Sequence, residues 1–110
     1  MLNVTSLATE GAVSKATVEQ MASGALELSG AEVSIAVSGI AGPAGGTEEK
    51  PVGTVWIAVG LRGEDAKSFR VSIGGGRDRV RRLSAVAAML LARGVIEKKS
   101  IDTDYIWNYI

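Results

Sequence analysis

Two glycine-rich stretches carry most of the residues in this 110-residue chain that could do chemistry. The first is Ser38 to Pro51, SGIAGPAGGTEEKP, with four glycines and two prolines in fourteen positions. Gly39, Gly42, Gly45 and Gly46 permit positive φ and close approach of a ligand, so successive amides can turn toward an anion or a developing oxyanion. Ser38 adds a hydroxyl at its start. No Gly-Lys-Ser/Thr follows, so the stretch is not a Walker phosphate loop, and the G-x-G-x-x-G dinucleotide pattern is missing. A long hairpin connection has the same composition. The residues alone leave ligand loop and connection both open. Glu48 and Glu49 are loop carboxylates that solvation explains, and no metal is expected there.

The second stretch is Gly74-Gly75-Gly76-Arg77-Asp78-Arg79-Val80-Arg81-Arg82. Four arginines in six positions at the start of a helix conflict with the partial positive charge of that end. A bound anion would remove the conflict, and a glycine turn leading into helix amides is a common phosphate site. Arg77, nearest the turn, is the residue expected to hold such an anion. Arg79, Arg81 and Arg82 are explained as well by a solvated face, partly paired with Asp78.

Composition narrows the remaining chemistry. The chain has neither cysteine nor histidine, which removes disulfides, thiol nucleophiles, the usual general base and nearly every zinc site. Twelve basic and twelve acidic residues cancel, so no global charge draws the chain to nucleic acid or to an anionic membrane. No apolar run approaches the length of a bilayer span. No secretory leader pattern opens at Met1. A cytoplasmic protein without cofactor or metal is the expectation.

The elements that must position these residues follow from periodicity. Ser14 has the chemistry of an N-cap, and Val18, Met21, Ala22, Ala25 and Leu28 recur at helical spacing, which predicts a helix from Ser14 or Lys15 to Ser29, closed by Gly30. Glu32 to Ser38 alternates, with Val33, Ile35 and Val37 on one face and Ala36 on the other. Val52 to Val59 is apolar on both faces, as in a strand covered on each side. Lys67 to Ile73 sets Phe69, Val71 and Ile73 against Ser68, Arg70 and Ser72, the pattern of an edge strand. The LRGED segment between these two is a turn. Arg77 to Arg93 carries Val80, Leu83, Ala87, Leu90 and Leu91 at helical spacing, with Gly94 as the expected stop. Beyond Glu97 lies a tail ending in Tyr105, Trp107 and Tyr109, aromatic residues that suit a docked extension or an oligomer contact. The order gives an α/β domain with a small mixed sheet. Its core is thin, and the doubly apolar strand asks for more cover than these elements supply.

The segments GAVSKATVEQMASGAL, VSGIAGPAGGTEEKPVGTVWIAV and GGGRDRVRR together closely resemble the CinA C-terminal domain family. The pattern S/T-G-I-A-G-P-x-G-G-x-x-x-K-P-V-G-T-V is long and specific, and the resemblance runs from about Leu2 to about Gly94. It implies a three-layer α/β/α sandwich, incomplete at its N-terminus, spanning residues 1–96 with 97–110 as a tail. It also implies hydrolysis of the carboxamide of nicotinamide mononucleotide to nicotinic acid mononucleotide and ammonia, in a homo-oligomer.

Carried over residue by residue, the resemblance places Ser38 and Arg77 at family active-site positions. It places Gly39, Gly42, Gly45 and Gly46 in the loop that lines the substrate pocket. The family's nucleophilic serine lies in an E-S-C-T-G-G segment and its lysine partner in Y-S-N-x-x-K; both match positions upstream of Met1. A serine attacks an amide poorly unless a base takes its proton. Ser38 with Lys50 is a conceivable substitute pair, but Lys50 falls in the K-P-V-G turn, where a structural role suits it better. Two functions follow as expectations: part of an amidohydrolase whose turnover belongs to the full domain, or a non-catalytic portion that binds a nucleotide or assembles with another subunit.

Overall fold

Ser14 starts the first helix through its hydroxyl, which accepts the Thr17 amide at 3.2 Å and donates to the Thr17 hydroxyl at 2.9 Å. Such a cap is worth about 1 kcal/mol. Helix α1 then runs Lys15–Ser29 and ends at Gly30, whose φ of 72° lets its amide reach back to the Leu26 carbonyl at 3.1 Å. These features come from a computed structural model, which describes residues 13–39 and 52–98.

Three strands follow: β1 (Val33–Gly39), β2 (Thr54–Leu61) and β3 (Lys67–Ser72). They lie in the order β1-β2-β3 and every pairing is antiparallel, with Val37 opposite Ile57, and Ile57 opposite Phe69. A mixed sheet was expected; among the described strands it is antiparallel throughout. Between β2 and β3 the chain makes only a tight turn, and strands joined in this way run in opposite directions. The β2–β3 turn closes with the Glu64 amide on the Leu61 carbonyl at 3.0 Å, with Gly63 at φ 83°. Helix α2 (Arg77–Ile96) completes the described elements.

The two helices cover opposite faces of the sheet, which gives the α/β/α layering. On one face, Val55, Ile57, Val59, Val71 and Ile73 pack under Val80, Ala87, Ala88, Leu91, Ala92 and Val95 of α2. On the other, Ala36 and Ala58 pack under Val18 and Ala22 of α1. Strand β2 is thus buried from both sides, as its sequence predicts, and among the described residues β3 is an edge strand. Each fully buried aliphatic side chain here contributes about 1.5–3 kcal/mol.

Three details depart from the periodicity reading. Leu26, not Leu28, completes the α1 stripe: Leu26 is buried and Leu28 is 78% exposed. The two stand about 200° apart around a helix, so only one can face the sheet. Gly94 does not stop α2 but is buried within it. The chain turns instead at Lys98, whose φ is 61° and whose amide reaches the Val95 carbonyl at 3.1 Å. Finally, the Val33, Ile35 and Val37 face of β1 remains 37, 43 and 39% exposed, because α2 lies over β2 and its flank stops short of β1.

Candidate functional site

One end of the sheet gathers the residues singled out by sequence. There β1 finishes at Gly39, β2 begins at Thr54 and β3 finishes at Ser72; Gly39 pairs with Val55 and Thr54 with Ser72. Helix α2 starts a few residues later at Arg77. Ser38, Gly39 and Arg77 therefore share this end. Gly42, Gly45 and Gly46 lie outside the described residues, as do Glu48, Glu49 and Lys50.

Ser38 and Arg77 do not share a face. Ser34 and Ala36 turn toward α1, where Ser34 donates to the Ala22 carbonyl at 2.6 Å. Strand alternation turns Ser38 the same way. Arg77 opens the helix of the opposite layer. A ligand that touches both lies across the sheet's end.

Gly39 faces the α2 layer, and there it meets a groove of about 330 Å³ lined by Val37, Gly39, Val55, Val80, Arg81, Ser84 and Ala85. Its walls are mostly apolar, with the Arg81 guanidinium as the charged group. Arg81 is exposed, as expected of a solvated face, and also borders this groove. A periodicity signal was available, since Arg81 precedes Ala85 by one helical turn and flanks the buried Val80. A methyl group on Gly39 would stand 3.0 Å from Val55 Cγ2 and 3.2 Å from the Thr54 carbonyl, so the absence of a side chain keeps this corner open.

The turn into α2 is built by Gly75 and Gly76, at φ 91° and 94°. Gly76 offers no side-chain cap, so the first-turn amides of α2 have no capping hydroxyl or carboxylate. Asp78 in that turn offsets part of the helix dipole. Arg79 is exposed, and its guanidinium folds back to donate to the Gly74 carbonyl at 2.7 Å rather than to Asp78. That bond leaves Arg77, Arg81 and Arg82 as the arginines of this segment whose side chains are not tied to the turn's carbonyls.

Sequence reasoning also missed Gly53. At φ 94°, a side chain there would run into the Ile73 carbonyl oxygen, and the Gly53 carbonyl accepts the Ile73 amide at 2.9 Å. The glycine closes the sheet at the site's end. Among the described residues there is no cluster of carboxylates able to hold a metal ion, and no helix long and apolar enough to cross a membrane.

This arrangement matches known proteins. The family model for the CinA C-terminal domain covers residues 1–96. The chain is 51% identical over 86 residues to a CinA-like protein of Akkermansia muciniphila, covering 76% of this chain and 21% of that one. It is 47% identical over 83 residues to the nicotinamide-nucleotide amidohydrolase PncC of Escherichia coli, covering 76% of this chain and 50% of that one. Among solved structures it superposes on competence damage-inducible protein A of Klebsiella pneumoniae with a TM-score of 0.75 at 38% identity, covering 86% of this chain and 59% of that one. The Agrobacterium tumefaciens competence/damage-inducible protein gives 0.72 at 41% identity, covering 83% and 57%. The chain spans about half or less of the curated relatives it matches. On the match over residues 1–96, and on the layered fold it shares with these structures, the chain belongs to the CinA C-terminal domain family.

Proposed function

We propose that this chain is the nucleotide-binding portion of an amidohydrolase domain acting on nicotinamide mononucleotide. The observation that carries the reading is its 47% identity to the Escherichia coli amidohydrolase, together with a glycine-rich loop that leaves the sheet at the end where α2 begins. In this reading the nucleotide lies across that end. Arg77 and the uncapped first-turn amides of α2 take the 5′-phosphate from one layer. Ser38 approaches from the other, and Gly39, Gly42, Gly45 and Gly46 supply backbone between them.

Neither an E-S-C-T-G-G nor a Y-S-N-x-x-K segment occurs in these 110 residues. Recognition groups without an activated nucleophile bind the amide and leave it intact. Turnover accordingly belongs to the complete domain, in a cytoplasmic homo-oligomer.

Calorimetry and an ammonia assay on the purified chain test this. Nicotinamide mononucleotide should bind without ammonia release. An Arg–phosphate contact is worth about 1.5–3 kcal/mol, so Arg77→Ala should weaken binding roughly ten- to a hundredfold. Arg82→Ala should change it little. Turnover above background would assign catalysis to Ser38 and Lys50, and equal losses in the two alanine variants would reduce recognition to nonspecific charge.

A further inference from the structure

The face of α2 turned away from the sheet is not uniformly polar. The helix packs on the sheet through Val80, Ala87, Leu91 and Val95. At about 100° per residue, Arg82, Val86, Met89, Arg93 and Ile96 stand on the opposite side. Their separations alternate between four and three, the spacing of a seam that meets a partner. Val86 is 40% exposed, Met89 71% and Ile96 50%. Apolar side chains and two guanidinium groups thus share one outward row, over about 21 Å of helix.

The chain leaves this helix at a fixed point. Lys98 adopts φ 61° and its amide reaches the Val95 carbonyl at 3.1 Å, which ends the helix and turns the chain. Its ammonium is held at 2.9 Å by Glu64 of the β2–β3 turn. Residues 99–110 follow; they lie outside the described residues and beyond the family match, which ends at residue 96. Their sequence, KSIDTDYIWNYI, joins the carboxylates of Asp102 and Asp104 to the rings of Tyr105, Trp107 and Tyr109.

We propose that residues 99–110 dock back along the outer face of α2, with Asp102 and Asp104 toward Arg93 and the aromatic rings over Met89 and Val86. Charge complementarity chooses this occupant: the seam is apolar and basic, the tail apolar and acidic. Arg93 already pairs with Glu97 at 3.1 Å, and a guanidinium has donors enough for a second carboxylate. Aromatic rings against a methionine thioether add a favourable contact. Reach agrees as well. Met89 lies about 14 Å back along the helix from Lys98. The seven residues from Lys98 to Tyr105 span up to about 23 Å when extended, so Tyr105 arrives there with length to spare. A second copy suits the seam less well. Laid against itself, the seam doubles its guanidinium groups and gains no acidic residue.

NMR of the chain labelled at its methionine methyls tests this docking. Trp56 and Phe69, the aromatic residues outside the tail, belong to the sheet, so Overhauser contacts from ring protons to the Met89 methyl identify the tail. Such contacts should be present and should persist on dilution. Asp102→Lys combined with Asp104→Lys should abolish them, while circular dichroism shows the variant folded. Leu28→Lys, an exposed position on the opposite layer, should leave them intact. A Met89 methyl without aromatic contacts overturns the proposal, and so do contacts indifferent to the charge reversal. Contacts that arise between a labelled and an unlabelled copy also overturn it, by making a second molecule the occupant.

Discussion

The Arg62 guanidinium donates from Nη2 to the Leu26 carbonyl at 2.6 Å and from Nε to the Ala31 carbonyl at 2.8 Å. The Leu26 carbonyl also accepts the Gly30 amide. A residue from the β2–β3 turn thus closes the C-terminus of α1, where a cation meets the negative end of the helix dipole. Arg62→Ala should lower stability by about 1–2 kcal/mol, read as a shift in urea midpoint at unchanged slope. Arg62→Lys should recover less than half, because a single ammonium cannot reproduce the guanidinium fork.

Gly53→Ala should be more damaging than its small size suggests. The added methyl meets the Ile73 carbonyl, part of the backbone, at a φ that alanine itself resists. The expected loss is about 2–3 kcal/mol or more, measured by thermal and urea unfolding. Gly63→Ala is the comparison: its φ of 83° is equally unfavourable, but nothing stands within 4 Å. Strain without collision should cost about 1 kcal/mol. Equal losses at the two glycines would mean that the Ile73 contact is unimportant.

Gly60 lets α1 approach β2. A methyl there would stand 2.6 Å from Ser34 Oγ and 3.0 Å from Leu26 Cδ1. Gly60→Ala should destabilise by about 1–3 kcal/mol through overpacking. In a Ser34→Ala background that penalty should shrink, because the nearer obstacle is gone and the Leu26 methyl can rotate. A double-mutant cycle reads the difference directly, and additive losses would refute the coupling.

Lys98 donates to Glu64 at 2.9 Å, and that bond, reinforced by the charge of the ammonium, holds the Glu64 carboxyl below the usual carboxylate range. A carboxylate depressed in the folded state adds stability above its unfolded pKa and loses it as pH falls through the folded value. The pair therefore acts at neutral pH and fades only in acid. Carbon NMR should show Glu64 titrating at higher pH in Lys98→Met, and high salt should move the wild-type value the same way. Because both groups are exposed, the change in neutral-pH stability should be small.

The elements of the fold could be read from the sequence wherever burial follows a local period. Ser14, Gly30, the two-sided apolarity of β2 and the alternation of β3 each report their own environment. Positions set by a distant partner could not be read in this way. Nothing near Gly53 announces the Ile73 carbonyl, and nothing near Arg62 announces the end of α1. Leu26 and Leu28 are equivalent on a hydropathy scale, and only the rotation of α1 about its own axis separates them. At the site, the shared sheet end of Ser38, Gly39 and Arg77 follows from their places at strand and helix ends. The face on which each side chain stands depends on register, which required the pairing of Gly39 with Val55. The exposure of Arg81 was legible in its arginine-rich run, but its place at the groove depends on how α2 sits against β1, which composition does not carry.

Strand β2 is the element to which every other described element attaches: β1 and β3 pair with its two edges, and the helices press on its two faces. Its backbone cannot be exposed by peeling away any single neighbour. The amides of Val55, Ile57 and Val59 should therefore exchange with deuterated solvent only when the whole chain opens, while those near Gly63 exchange through local fluctuation. The slowest-exchanging protons would report the global unfolding free energy of this layer structure without any denaturant.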